Sequence, residues 1–402
     1  MNNRFVKIVS PLLILSATNI VSHAVFAGEA LGYIGAEALA FLEDPLFPRQ
    51  SDASISLTSQ LEYFHDFDDS NQRFAITLFG RADSQDDERT HADIRELYWW
   101  RNFDSFEAYA GIRKVFWGVT ESAHLVDIIN QDDSLESVDR EEKLGQPMLQ
   151  LIKVSDWGTW ELFSLFGFRE QAFPGEQGRL RAGLPIDEDA IYESSDEREH
   201  IDFAARWSHY FDVVDIAVSY FTGTSRDPIF LPQYSGGVPT SLLPFYNQID
   251  RVGLTTQITL GSWLAKLEAT TTRERFAQTS QAAVVGFEYT LFGIGGGESD
   301  LGLLMEYQYD DLKGPRQVLS QNDVVGGIRW ALNDIDGSQL LFLASHDLDY
   351  NHQFYSLEYS RRIFENWKFE LEAAAFTADN PTSLDFSLRS DDYLRFEFKR
   401  YF

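Results

Sequence analysis

The sequence predicts an all-β fold, a transmembrane antiparallel up-and-down β-barrel of about eighteen strands. Three observations predict it. Segments of about ten residues alternate apolar and polar side chains with period two, the pattern of a strand wet on one face and greasy on the other. The connections between these segments alternate between long and short. Beyond the N-terminal segment no apolar run is long enough for a helical span, so only a closed sheet could satisfy its backbone in lipid.

The N-terminus reads as an export signal. Arg4 and Lys7 precede a largely apolar run from Ile8 to Phe26, which ends in the small-residue signature Val25-Phe26-Ala27. Ser10, Pro11, Ser16, Thr18, Asn19, Ser22 and His23 interrupt the run and no stop-transfer pattern follows. Cleavage is expected after Ala27, leaving 28–402 as one barrel domain in the cell outer membrane. The chain has no cysteine, so an exported protein of this length must take its rigidity from packing or backbone hydrogen bonds.

A formal charge of −30 and a pI near 4.5 exclude nucleic acid as a partner, as well as adhesion to anionic lipid through a basic patch. Aromatic residues make up 14% of a chain whose mean hydropathy is −0.26, so apolar and polar positions must be finely interleaved.

Strand by strand, the alternation is plain in 54–64, where Ile55, Leu57, Leu61 and Tyr63 oppose Ser56, Thr58, Gln60 and Glu62. It returns in Val252, Leu254, Ile258 and Leu260 against Arg251, Thr255, Gln257 and Thr259. In 300–309, Leu301, Leu303, Met305, Tyr307 and Tyr309 oppose Gly302, Leu304, Glu306 and Gln308. The same reading places strands near 32–41, 54–65, 72–83, 92–101, 106–117, 148–155, 158–168, 201–211, 213–222, 250–260, 263–273, 282–292, 300–310, 323–332, 339–346, 354–363, 367–377 and 391–402. An even count suits a single-chain bacterial barrel.

Short joins such as Asp156-Trp157, Gly261-Ser262 and Phe364-Glu365-Asn366 follow even-numbered strands. Longer segments, including 118–147, 169–200, 223–249, 311–322 and 378–390, follow odd-numbered ones. That places both termini on the periplasmic side. A soluble β-sandwich or propeller has no reason to alternate in this way, and no blade-like repeat is present.

The last strand, Asp391 to Phe402, alternates apolar and charged residues and ends in phenylalanine. It resembles the C-terminal signal recognised by the barrel-assembly machinery. Arg400 falls on the apolar parity of Leu394, Phe396, Phe398 and Phe402, where a long side chain near the rim can snorkel.

The stretch Arg113-Lys114-Val115-Phe116-Trp117-Gly118-Val119-Thr120-Glu121-Ser122-Ala123-His124-Leu125-Val126-Asp127-Ile128-Ile129-Asn130-Gln131 resembles a group of proteobacterial outer-membrane porin-like proteins. Lys143-Leu144-Gly145-Gln146-Pro147, Phe173-Pro174-Gly175-Glu176 and Gly223-Thr224-Ser225-Arg226-Asp227-Pro228 add to the resemblance, which spans essentially the whole mature chain. It implies an outer-membrane barrel and supplies neither a settled substrate nor catalytic residues.

Segment 118–147 is the candidate pore-shaping element. Leu125, Ile128 and Ile129 recur at helical spacing against Glu121, Asp127, Asp132 and Asp133, which predicts a short amphipathic helix folded into the lumen. An outward loop packed on the rim is the alternative. The inward placement would bring Arg113, Lys114, Glu121, His124 and Asp127 near the narrowest point.

Strand charges should face water, because Arg or Lys on the lipid face near the midplane costs about 2–4 kcal/mol. This points Glu62, Arg73, Arg81, Arg95, Arg113, Asp202, Arg206, Arg251, Lys266, Glu268, Glu288, Glu306, Arg329, Glu358, Glu370 and Glu372 inward. Early strands favour arginine (Arg73, Arg81, Arg95) and later ones glutamate (Glu268, Glu288, Glu306, Glu358). Two outcomes are open: a basic wall facing an acidic one across the channel, or a wet lumen laced with cross-strand ion pairs.

Acidic loops such as Asp66-Phe67-Asp68-Asp69, Asp86-Asp87-Glu88 and Asp187-Glu188-Asp189 read as solvated charge. Loose Ca²⁺ or Mg²⁺ bridging to lipopolysaccharide is the second reading, without a defined EF-hand spacing. Tyr98-Trp99-Trp100, Phe116-Trp117, Trp157 with Trp160, and Tyr401-Phe402 sit at predicted strand ends, where interfacial girdles belong.

No enzyme is expected. Ser122 and His124 lie close to Glu121, but the Gly-x-Ser-x-Gly elbow is missing. The histidines carry no zinc motif, and no Gly-Lys-Ser/Thr follows Gly293-Ile294-Gly295-Gly296-Gly297. The functional expectation is passive or weakly selective diffusion of small hydrophilic solutes. A substrate-specific uptake channel and a plugged structural or adhesive barrel are the alternatives.

Overall fold

Tyr33 in the first strand lies opposite Tyr401 in the last, and Phe41 opposite Tyr393; this pairing closes the sheet into a barrel. The computed structural model describes residues 28–402 apart from 138, 276, 313–320 and 382. The expected signal peptide, 1–27, and most of the expected loop 311–322 lie outside the described residues.

In chain order the strands are β1 (Glu29–Phe41), β2 (Ala53–Phe67), β3 (Gln72–Asp83), β4 (His91–Phe103), β5 (Phe106–Arg113), β6 (Gln146–Ser155), β7 (Gly158–Leu165), β8 (Ile191–Tyr192), β9 (Asp202–Phe211), β10 (Val214–Thr224) and β11 (Ile229–Ser235). They continue with β12 (Val238–Tyr246), β13 (Gln248–Leu260), β14 (Trp263–Glu274), β15 (Ser280–Leu291), β16 (Asp300–Asp310), β17 (Asn322–Ala331), β18 (Gln339–Asp347), β19 (Gln353–Phe364), β20 (Trp367–Thr377) and β21 (Tyr393–Tyr401).

Eighteen of them form the barrel sheet, each antiparallel to its neighbours. The other three, β8, β11 and β12, make a small separate sheet. Those three differ from expectation, because 169–200 and 223–249 read as plain loops. The β11–β12 hairpin turns at Gly236 and Gly237, both with positive φ. Its flanks carry Pro232, Pro239 and Pro244, which blur a period-two pattern.

Register shows which parity faces inward. Glu306 lies opposite Gly286 and Val325, while Met305 and Tyr307 on the same strand are exposed outward. The parity follows round the barrel to Glu62, Arg73, Arg81, Arg113, Asp202, Arg206, Arg251, Lys266, Glu268, Glu288, Arg329, Glu358, Glu370 and Glu372, all inward as expected.

A bulge in β4 alters this locally. Thr77 faces Glu96 and Leu78 faces Ile94, so Arg95 has no partner in the ladder. Arg95 still points inward, its guanidinium lying 3.7 Å over the Phe79 ring. Beyond the bulge Trp100 faces the inward Tyr109, and Trp99 faces lipid beside Phe74.

Strand ends also shift. Strand β5 stops at Arg113 rather than 117, and β7 at Leu165 rather than 168. The joins 292–299 and 332–338 are as long as several at the loop end, so the alternation of lengths holds for most of the barrel but not for that sector.

Candidate functional site

Segment 114–145, between β5 and β6, folds into the lumen. Trp117, Val126, Ile128 and Ile129 are buried against Met148, Phe163, Leu165, Ala204, Phe221 and Ile249, which are inward positions of β6, β7, β9, β10 and β13. Trp117 meets Phe163 edge to face at 5.6 Å. Burying a large apolar side chain is worth about 1.5–3 kcal/mol, so this patch is the main attraction drawing the loop to one wall. Trp117 therefore belongs to this packing and not to an interfacial girdle.

The expected helix does not form. The segment is made of turns and one bridge between Asp132 and Lys143. The physical reason is that its amide groups are used elsewhere. Glu268 on β14 accepts hydrogen bonds from Val119 N (2.5 Å), Thr120 N (3.0 Å), Thr120 Oγ1 (2.8 Å) and Val126 N (3.3 Å). Glu306 on β16 accepts from Glu121 N (2.9 Å), Ser122 N (2.8 Å) and Ser122 Oγ. The buried face also differs, with Val126 inside in place of the half-buried Leu125.

Asp127 turns back on its own loop and accepts from Trp117 N (2.6 Å) and Gly118 N (3.0 Å). Gly118 is required there, since a Cβ would sit 2.6 Å from His124 Nδ1.

The other half of the loop meets the arginine wall. Arg81 Nε lies 2.7 Å from Glu136 and its Nη1 2.9 Å from Glu37. Arg95 lies 3.5 Å from Glu142 and 3.8 Å from Asp133. Lys114 is 3.7 Å from Glu142. Arg113 stacks on Tyr109 at 3.6 Å and bonds to Gln150. The loop thus bridges the two walls, offering carboxylates to arginines and N–H groups to glutamates. Of the four glutamates expected to form an open lumen ladder, Glu268 and Glu306 are spent on the loop.

Burial disfavours the Glu136 carboxylate, but its bonds to Arg81 hold it below the usual range. Asp133 is pushed up to about 6, by burial first and by the nearby Glu136 second.

His124 lies 2.7 Å from Glu141 through Nε2, tying the two arms of the loop together. Burial works against a charged ring, yet the Glu141 hydrogen bond and charge, with Asp127 and Glu268 nearby, push the imidazole up to about 9. A histidine with a raised folded pKa binds its proton more tightly in the folded state. The His124–Glu141 contact therefore contributes fully below the unfolded value of about 6.5 and is lost as pH rises through about 9. An NMR titration of His124 should show this midpoint, and cleavage of the loop by protease should accelerate above it. A midpoint near the free-histidine value would refute the strut.

Further anchors lie outside the residues that the sequence points to as a site. Asn130 accepts from Val115 N (2.9 Å) and donates to Arg113 O (2.7 Å) and Leu144 O (2.8 Å), pinning both necks of the loop. Lys143 and Arg140 both reach Asp132. Arg226 donates to Ile129 O (3.0 Å) and pairs with Asp202 at 2.8 Å. Gly223, at φ +155°, leaves room for Asp202, whose Cγ would be 2.2 Å from a Cβ. The motif stretches 143–147 and 223–228 thus hold the lumen loop, and in 173–176 Gly175 N bonds to Asp86.

The rest of the lumen is different. Arg329 on β17 lies 2.5 Å from Glu121 and 4.0 Å from Glu288. Glu358 on β19 points inward, is exposed, and has no ion pair among the described residues. Among the described residues no three metal-ligating side chains converge.

No family model matches the chain, and no curated protein matches it in sequence. Its fold is shared with solved structures of Pseudomonas aeruginosa. OccD3 (OpdP) aligns with a TM-score of 0.54 at 10% identity, covering 94% of this chain and 92% of that one. OccK11 (OpdR) aligns at 0.53 and 10% identity, covering 93% and 95%. OccK8 (OprE) aligns at 0.51 and 11% identity, covering 93% and 98%.

Proposed function

We propose that the chain is an outer-membrane channel, porin-like in mechanism, through which small hydrophilic solutes diffuse passively or with weak selectivity. The observation that carries this reading is Glu358, an inward side chain of a closed barrel that is nonetheless exposed. The loop's apolar patch packs against β6–β13, and its polar contacts reach β14, β16 and β17 on one flank and β3, β4 and β21 on the other, while Glu358 on β19 lies between these flanks with no ion pair to the loop among the described residues. A charged side chain held in a filled lumen without a partner would be strongly disfavoured.

In this reading Glu121 borders the passage, while Arg113, Lys114, His124 and Asp127 hold the loop that narrows it. The short turns and both termini face the periplasm, and the long loops face lipopolysaccharide. The outward Phe396 and Phe398 of β21 are available to the assembly machinery.

The test is single-channel recording of refolded 28–402 in a planar bilayer. Discrete, ohmic conductance steps are expected. A silent bilayer, with barrel folding verified by heat-modifiable gel mobility, would overturn the reading.

A further inference from the structure

The lumen's charges are not evenly spent. Most of its arginines meet a carboxylate: Arg81 meets Glu37 and Glu136, Arg95 meets Asp133 and Glu142, Arg329 meets Glu121, and Arg395 meets Glu372, whereas Arg113 and Arg251 bond to Gln150 and Thr272 instead. The loop supplies several of these partners itself, so folding it inward offsets the charge of Arg81, Arg95 and Lys114. On the acidic side Glu268, Glu288, Glu306, Glu370 and Glu372 all have partners, which leaves Glu358 without one among the described residues.

Glu358 forms no ion pair among the described residues, and the charges acting on it are chiefly Asp139 of the loop, Glu372, Arg395 and Glu121. Asp139 is itself exposed, and its carboxylate is engaged only by Ser137 Oγ and the Glu141 amide among the described residues. A carboxylate on the wall and one on the loop therefore share the water-filled side of the barrel. Low-dielectric walls focus such a field, raising the local concentration of counter-ions and repelling co-ions.

We infer that this passage prefers cations, and that Glu358 and Asp139 set the preference for small hydrophilic cations such as alkali metal ions and protonated amines. The inference rests on the channel reading above and names its solute class. Neither carboxylate holds the loop to the wall, so E358Q and D139N keep the volume of the side chains and the folded barrel.

The experiment is the reversal potential of native 28–402, E358Q, D139N and the double variant under a KCl gradient, at pH 8 where free carboxylates are ionised. The native channel should favour K⁺ over Cl⁻ severalfold. The double variant should lose most of that ratio while keeping its conductance in concentrated salt. Dilution should enlarge the native ratio, since the screening length grows from about 3 Å at 1 M salt to about 10 Å at 0.1 M.

A native preference for Cl⁻, or a ratio unchanged in the double variant, would overturn the inference and leave the channel reading standing. Silence from a heat-modifiable barrel would overturn the channel reading, and this inference with it.

Discussion

Deleting residues 121–141 should raise the single-channel conductance severalfold. The deleted segment includes Val126, Ile128 and Ile129, which lie within the lumen, and it takes no part in any barrel ladder. The sheet should therefore close as before. What changes is its inner surface, where Phe163, Leu165, Phe221 and Ile249 lose part of their cover. At about 25 cal/mol per Å² of apolar surface returned to water, the barrel should be measurably less stable toward denaturant while remaining folded.

The same deletion removes Asp133 and Glu136 from Arg95 and Arg81. Arg81 then keeps only Glu37 and Arg95 only Glu142, so ion preference should move toward chloride, a second signature of the same structural event. A deletion variant with unchanged step size would show that the loop is not the constriction.

The second large effect is expected from Glu268→Ala. One fully buried carboxylate accepts three backbone N–H groups and a hydroxyl of the loop. Its removal leaves those donors buried without acceptors, and breaking such a buried charged contact costs about 3–5 kcal/mol. The loop should then detach transiently, seen as rapid flicker between open levels and as new protease cleavage within 118–130. Glu268→Gln, which keeps an acceptor oxygen, should show a milder version. Quiet channels with an intact loop in Glu268→Ala would mean that the apolar patch alone suffices.

Much of this architecture is legible in the chain. Strands such as β2, β13 and β16 have uniform alternation because one face meets lipid and the other water, and that contrast is written residue by residue. The inward direction of Glu306 or Arg329 follows from parity alone. The lumen loop was legible as a long segment with buried-type residues, but its conformation was not. Helical spacing of Leu125, Ile128 and Ile129 is a local signal, whereas the carboxylates that capture the loop's amides lie more than a hundred residues away, on β14 and β16.

One further signal was present in the strands. Around the wall that receives the loop, β6, β7 and β10 carry apolar residues on both parities, as in Met148 beside Leu149, Phe163 beside Leu162, and Phe221 beside Tyr220. Outward residues of that kind meet lipid, so inward ones must meet protein. Apolar side chains facing into a barrel mark where something is packed inside it.

Local pattern was thus enough for the eighteen barrel strands and the face of their charges, because each depends on period and parity along one short segment. The pairing of those charges and the irregular path of the loop needed the closed barrel. They depend on which residues, distant in sequence, share one enclosed space, where a buried carboxylate must find donors and an arginine must find a counter-charge.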